Sequence, residues 1–351
     1  MGISSRWIGL AALALASAPA GVTPTHAAGP YVIYLSNNFV GNDWRQQMER
    51  VAQVAVGKPP LAGKVDLHIE NAEGTVQAQI NSLNNIIRSK PNAILIDASS
   101  AEALNPTIKK ACDAGIVVVS FDQTVSAECA YKLHSDFDVM ANNQAEWMAA
   151  ILGGKGKVLM DRGLAGAPIS EQFAKNYADV LKKYPGIEVE GYFNGNYAAG
   201  PEQEGVASLL AAHPQVDGIF SQGYGTGAIK ALQNAGRPLV PIVAAAFNGT
   251  GVVCAQTAGA KCWLGANPPS LSAEAIKLAV DVLDGKKPAD KTVLFNSPGL
   301  TTDLVDAKYM PNTSAVKIEL GKTVFPDLSP GLSLPISPDW VSISAKEASG
   351  T

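Results

Sequence analysis

Asp97 and Asp122 each close a short run rich in Val, Ile and Leu, and two such carboxylates can do two kinds of work. Set across a glycosidic bond, one protonates the leaving group while the other attacks or activates water. Set around an intact polyhydroxylated molecule, both accept hydrogen bonds from its hydroxyls. The residues near them favour the second. Other apolar runs are followed by amides and rings: Asn38, Phe39, Asn42, Trp44 and Arg45 after the first, Ser99 just beyond Asp97, and Gln123 beside Asp122. Further along come Arg162, then Asn194 and Tyr197, then Gln222 and Tyr224, then Phe247 and Asn248. An amide both donates and accepts, and a ring covers a C–H face. Taken singly, each Asn, Asp or Ser is also an ordinary cap at a strand-to-helix turn, and Trp44 is equally suited to anchoring a helix against a sheet.

Other constellations for chemistry are missing from the chain. It contains no Gly-x-Ser-x-Gly elbow, Walker motif or His-Glu-x-x-His, and the glycines of Gly153–Gly156 precede a predicted strand instead of following one, so they make no dinucleotide fingerprint. His68 falls inside a predicted strand, which leaves little imidazole for general base work. The four cysteines lack the close Cys-x-x-Cys pair of a zinc site. Cys112 with Cys129 and Cys254 with Cys262 are the sequence-near disulfides, although four cysteines allow three connectivities. No catalytic group, metal or cofactor is therefore expected.

The elements that must position these residues are legible in the spacing. Tyr31–Ser36, Val65–Ile69, Ala93–Ile96 and Ile116–Ser120 read as strands, separated by segments of helical period such as Val76, Ile80, Leu83 and Ile87. A second series follows a polar link around His134–Asp138: helix 142–152, strand 157–160, helix 170–181, strand 187–191, helix 202–212, strand 218–220, helix 226–235, strand 240–244 and helix 271–283. Such alternation makes an α/β protein of two doubly wound, parallel-sheet lobes, since parallel neighbours need crossovers and helices must cover both faces. Ligands of such sheets lie beyond the carboxyl ends of the strands, where the amides and carboxylates sit.

Arg6, the apolar or small run from Trp7 to Ala20, and the small residues Thr25 and Ala27 predict a secretory signal peptide over residues 1–27, cleaved after Ala27. The run is shorter than the roughly 20 residues that cross a bilayer and is broken by Pro19. Lys plus Arg number 27 against 31 Asp plus Glu, with no basic block, which argues against a nucleic-acid surface. The tail after Gly321 is rich in Pro and Ser and is expected to pack on the surface of a lobe or lie partly loose.

The segments Asn37–Trp44 (Asn-Asn-Phe-Val-Gly-Asn-Asp-Trp), Ile94–Ser99, Val117–Gln123 with its Phe-Asp-Gln ending, Ser135–Asp136 and Ala211–Gln222 are most telling in their order and spacing. From Tyr31 to Val305 the chain resembles the type I periplasmic solute-binding proteins of sugar ABC transporters, in the branch of ribose and galactose receptors. The resemblance implies a periplasmic-binding-protein-like I fold whose three-crossing hinge lets the lobes close on a ligand without catalysis. It implies an N-terminal lobe of residues 28–136 plus about 265–300, a C-terminal lobe of 137–264 plus about 301–320, and a tail of 321–351. Asn42, Asp97, Asp122, Gln123, Asp136 and Asn248 fall at polar contact positions, and Trp44 and Tyr197 at stacking positions. The chain departs from the ribose receptors at Glu171, where they carry Arg, at Gly223–Tyr224, where they carry Asn-Asp, and at Ala266–Asn267 in place of a Gln. Those departures point away from ribose itself. The implied partners are a neutral sugar or polyol and a membrane ABC transporter permease, with the protein a periplasmic monomer. The alternative is an exported sensor, or a ligand-binding partner of a chemoreceptor, for a nucleoside or a signalling furanose.

Overall fold

The first sheet is built from runs whose burial follows their sequence pattern. In the computed structural model, which describes residues 29–295, 299–304 and 315–350, β1 (Tyr31–Asn37) lies between β2 (Val65–Asn71) and β3 (Ala93–Asp97). β3 is buried at every position, as its unbroken apolar run requires of a strand covered on both faces. β4 (Val117–Phe121) and β5 (Tyr131–Ser135) extend the sheet, and β11 (Thr292–Phe295) closes its edge, giving the order β11-β5-β4-β3-β1-β2 with all pairs parallel. α1 (Asp43–Val56), α2 (Val76–Ser89) and α3 (Asn105–Asp113) make the crossovers. Asn42 and Thr75 cap the first two by accepting from the main-chain N–H of Arg45 and Ala78.

The chain then leaves for a second sheet. α4 (Phe137–Ile151), β6 (Lys155–Asp161), α5 (Pro168–Leu181), β7 (Gly186–Phe193), α6 (Ala199–Ala212), β8 (Gly218–Phe220), α7 (Thr226–Asn234), β9 (Ile242–Ala245), α8 (Asn248–Gln256) and β10 (Cys262–Gly265) follow in order. α9 (Leu271–Leu283) returns to pack on β3 and β4 of the first sheet, and β12 (Gly299–Thr301) and β13 (Ala315–Lys317) go back to the second. The second order is β13-β12-β10-β9-β8-β6-β7, parallel except between β10 and β12. Each sheet thus takes strands from two separate stretches of the chain, and three crossings join the lobes.

Three elements depart from the sequence reading. β5 occupies part of the supposed polar link; Tyr131, Leu133 and Ser135 are buried while Lys132 and His134 are half-buried, a period of two that polar residues masked. α8 and β10, short and glycine-containing, lie where no element was expected. The cysteines pair as Cys112–Cys129 and Cys254–Cys262; the first ties the end of α3 to the loop between β4 and β5, the second ties α8 to β10.

The tail packs closely against elements of both lobes. Val324, Leu332, Leu334, Val341, Ile343 and Ala348 are buried in one cluster with Val51 and Ala55 of α1 and with Ile242 and Leu264 of the second sheet. The segment is a strap: Asn248 and Gly249 donate main-chain bonds to Leu332 and Pro330, and Leu334 donates to Ala246, so it lies along the end of β9. It ends in α10 (Ala345–Ser349), whose capping box joins Ser344 and Glu347, and there Arg50 of α1 donates to the Ala348 carbonyl. Gly331 passes so close to α1 that a Cβ would stand 2.1 Å from an Asp43 carboxylate oxygen. The segment is irregular; its apolar side chains are buried while Pro326, Ser329, Pro330, Ser342 and Ser344 stay exposed, and its polar main chain is bonded to its neighbours.

Candidate functional site

The loops that follow β1 and β4 in one lobe face those that follow β6, β7, β8 and β9 in the other, across a cleft of about 910 Å³ that is partly open to solvent. The first lobe supplies Phe39, Asn42, Trp44, Arg45, Asp122 and Gln123. Tyr224 from the far lobe reaches across to donate to Asp43 at 3.3 Å, so the two lobes touch directly beside the cleft.

Charge is concentrated at the first lobe. Arg45 is buried under the rings of Phe39 and Trp44, with its guanidinium carbon 5.0 and 5.7 Å from their centroids. It pairs with the fully buried Asp97 and donates to Asn37 Oδ1. Burial pushes the Asp97 carboxyl well above its ordinary range, and Arg45 opposes that shift. The pairing consumes Asp97 as a second-row group beneath the cleft.

Asp122 lies one row forward. Its φ of 56° is left-handed, a conformation that costs an ordinary residue roughly 1–2 kcal/mol and that Asp tolerates better than most. One carboxylate oxygen accepts from Asn267 Nδ2 at 2.7 Å; the other has no protein partner among the described residues, and the residue lines the cleft. Burial raises the Asp122 carboxyl, while Arg45 and the Asn267 bond hold it down. Asn267 sits in the crossing between β10 and α9, accepts from Ser135 Oγ at 2.7 Å in the first crossing, and its carbonyl accepts from Trp44 Nε1 at 2.7 Å. One hinge residue therefore fixes both a carboxylate and a ring of the cleft. The side-chain amide of Gln123 and Nδ2 of Asn42 are free of protein partners among the described residues.

The second lobe is organised differently. Asp161, at the end of β6, accepts from the main-chain N–H of Gly163, Gly195 and Gln222 at 2.7, 2.8 and 3.1 Å, tying the loops after β6, β7 and β8 together. Burial raises its carboxyl and those three bonds oppose the shift. Glu202 of α6 does the same for the next loop, accepting from Ser221 Oγ and from the N–H of Gly225 and Gly227, and burial pushes it up to about 7. Gln144 is engaged at both ends, by Ala244 and Tyr177. Gln222 donates to the carbonyls of Asp161 and Ser170, which leaves its Oε1 buried without a partner among the described residues. Gly163, at φ 66°, leaves room for that oxygen, since a Cβ there would stand 2.5 Å from it. Beside the hydroxyls of Tyr197, Ser221 and Tyr224, this wall is largely carbon: Phe137 and Met140 from α4, Leu164, Ile169 and Phe173 near the start of α5, and Phe247, whose ring stacks on Tyr224 at 4.0 Å.

A family model described as the periplasmic binding protein domain matches residues 33–287, a span that holds β1 to β10 but for the first residues of β1, and nearly all of this cleft. The chain belongs to this family. Among curated relatives it is 27% identical over 186 residues to a xylitol-binding protein of Mycolicibacterium smegmatis, covering 52% of this chain and 53% of that one. It is 25% identical over 174 residues to a D-ribose/D-allose-binding protein of Pseudomonas aeruginosa, covering 47% of this chain and 54% of that one. Both matches span about half the length of those relatives. The crystal structure of an ABC transporter solute-binding protein from Thermobispora bispora superimposes with a TM-score of 0.68 at 28% identity, covering 79% of this chain and 87% of that one.

In this periplasmic binding protein the cleft gathers Phe39, Asn42, Trp44, Arg45, Asp122, Gln123, Tyr197, Gln222, Tyr224 and Asn267. Eight other residues named from the sequence are not among its walls. Asp97 is held behind Arg45, and Asn38 donates to the Ala98 carbonyl. Ser99 is bonded through its N–H to Gln79, and Asp136 caps α4. Arg162 lies over the exposed ring of Tyr192, and Glu171 and Asn194 are exposed. Asn248 faces the strap: Phe325 donates to its Oδ1 at 2.7 Å and its Nδ2 donates back to the Phe325 carbonyl at 2.8 Å. Its amide is therefore engaged, and a ligand cannot use it without releasing the strap.

Sequence reasoning missed Phe137, Met140 and Gln144, Ile169 and Phe173, and Ser333 of the strap. The first three stand at i, i+3 and i+7 and the next two at i and i+4, which is a helix face. That periodicity was available, but it reads equally as a core stripe.

Proposed function

We propose that this protein captures one neutral sugar or polyol between its lobes in the periplasm and delivers it, as a monomer, to an ABC transporter permease. The observation that carries the reading is Asp122 with its neighbours. A buried carboxylate with one open oxygen, beside the unengaged amides of Gln123 and Asn42 and the ring of Trp44, suits hydroxyls over an exposed C–H face. An anion would meet Asp122, and a wholly apolar molecule would strand these groups without partners. The relatives named for xylitol and for ribose or allose fall in the same ligand class. The protein binds and does not transform. Lobe closure follows from the placement of ligand contacts on both sides of the hinge, since a ligand shifts the population toward the state that it binds best. Removal of residues 1–27 as a signal peptide belongs to the same reading; they lie outside the described residues.

A thermal-shift screen of monosaccharides, sugar alcohols, furanosides, nucleosides and small acids tests this reading. A neutral polyol should raise Tm, and Trp44→Ala and Asp122→Ala should each weaken it. Tight binding of an organic acid with no response to any polyol would overturn the ligand class.

A further inference from the structure

The two walls of the cleft differ in what they leave open to a ligand, and we propose that the bound molecule is a polyol or furanose carrying one apolar substituent, alkyl or aryl, directed at the second lobe. This rests on the sugar reading above and narrows it. On the first lobe, Asp122 keeps one open carboxylate oxygen, and the Gln123 amide and Asn42 Nδ2 have no protein partner among the described residues. On the second lobe's own helices and loops, polar side chains in the wall are already engaged, and the strap adds the one hydroxyl of Ser333. Gln144 is bonded to Ala244 and Tyr177, Ser221 to Glu202 and Gly223, Tyr197 to Ser170, and Tyr224 to Asp43. Gln222 Oε1 is the one polar side-chain atom of that wall which is buried without a partner among the described residues.

Against that single acceptor stand Phe137, Met140, Leu164, Ile169, Phe173 and Phe247. A molecule with hydroxyls on every side would press several of them onto carbon, where each loses its water without gaining a bond. An alkyl or aryl group in their place removes its own carbon surface from water and costs no hydrogen bond. The Gln222 oxygen then takes one hydroxyl near the junction of the two halves. A nucleoside matches the shape less well, because the polar edge of its base would face the same carbon wall unpaired.

Calorimetric titration of matched pairs decides the matter: xylitol against its 1-O-, 2-O- and 3-O-benzyl ethers, D-ribose against methyl and phenyl β-D-ribofuranoside, and D-galactose against methyl and phenyl β-D-galactofuranoside. At least one substituted member should bind about tenfold or more tightly than its parent, with a more negative heat-capacity change. Met140→Gln, a substitution of similar size at a half-buried position in the carbon wall, should cost the substituted member more than the parent and so shrink that advantage. Phe173→Leu should reduce it, and Asp122→Ala should weaken both members of a pair alike. Parents that bind as tightly as every derivative overturn the inference and leave the sugar reading standing. Failure of both parents and derivatives to bind overturns the sugar reading and this inference with it.

Discussion

Gln47 of α1 and Ser333 of the strap hold each other twice, with Gln47 Nε2 donating to the Ser333 carbonyl at 3.0 Å and the Ser333 N–H donating to Gln47 Oε1 at 2.8 Å. Ser333 also bridges to Phe247 beyond β9. The tail is thus bonded to the first lobe at Ser333, through the Gln47 side chain, and to the second through the main chain of the flanking Leu332 and Leu334, which pair with Asn248 and Ala246. Asn248 binds Phe325 in the same reciprocal way. In both places a side-chain amide stands in for a strand, since it offers one donor and one acceptor at the spacing of a peptide group.

Truncation of Gln47 to Ala should strand the buried N–H and carbonyl of Ser333. A loss of about 1–3 kcal/mol in urea unfolding is expected, together with faster proteolysis between residues 320 and 344. Unchanged stability and unchanged cleavage would mean that the strap is held by its apolar side chains alone.

At the cleft, Asp122→Ala should weaken a bound polyol by about 2 to 5 kcal/mol, the range for removing one member of a buried charged hydrogen bond. Asn267→Ala should cost less, about 1 kcal/mol, because Trp44 is held by the main-chain carbonyl of residue 267 and would keep its partner. Titration calorimetry on the two variants orders the effects; a larger loss at Asn267 than at Asp122 would show that the hinge contact dominates.

Glu202 predicts a dependence of stability on pH. Its carboxyl titrates near 4.5 in the unfolded chain and is pushed up to about 7 by burial in the folded one. Between those values the folded state holds the proton that the unfolded state has released, so stability falls as pH rises through that window. The contribution is on the order of 3 kcal/mol. Glu202→Gln should remove this part of the slope while lowering stability overall, since an amide N–H would then face a main-chain N–H at Gly225 or Gly227. Urea unfolding at pH 4.5 and pH 8 in both proteins is the check; equal slopes would place the titration elsewhere.

The disulfides should matter unequally. Cys112–Cys129 closes a chain separation of 17 residues and Cys254–Cys262 one of 8. Loop entropy predicts about 3 kcal/mol for the longer and less for the shorter. Replacing each pair by Ser in turn and comparing melting temperatures tests the order. The longer bridge also tethers the loop that leaves Asp122, so its removal should weaken polyol binding as well.

Much of the molecule was legible in the spacing of its residues. The unbroken run at Ala93–Asp97, the helical repeat of Val76, Ile80 and Leu83, and the rule that ligands sit beyond strand ends led to two α/β lobes and to Asn42, Trp44, Asp122, Gln123 and Gln222. These signals are local: burial of one face imposes a period on a single element, whatever that element packs against. Cys112–Cys129 and Cys254–Cys262 were legible for a related reason, as short separations bring partners together.

Asp122 and Asp161 mark where that legibility ends. Both are Asp residues at the close of a buried strand, Phe-Asp-Gln in one case and Met-Asp-Arg in the other, and nothing in their immediate sequence separates them. Three N–H groups from loops up to 61 residues away engage Asp161, whereas Asp122 meets one amide from Asn267 and keeps an oxygen for the cleft. The same holds for Asn248, taken by a strap that arrives 77 residues later in the chain. The sequence determined which residues stand at the strand ends, because periodicity and turn chemistry are short-range. Only the tertiary structure decided which of them remain open to a ligand, because a polar group is occupied or free according to partners that distant segments bring to it.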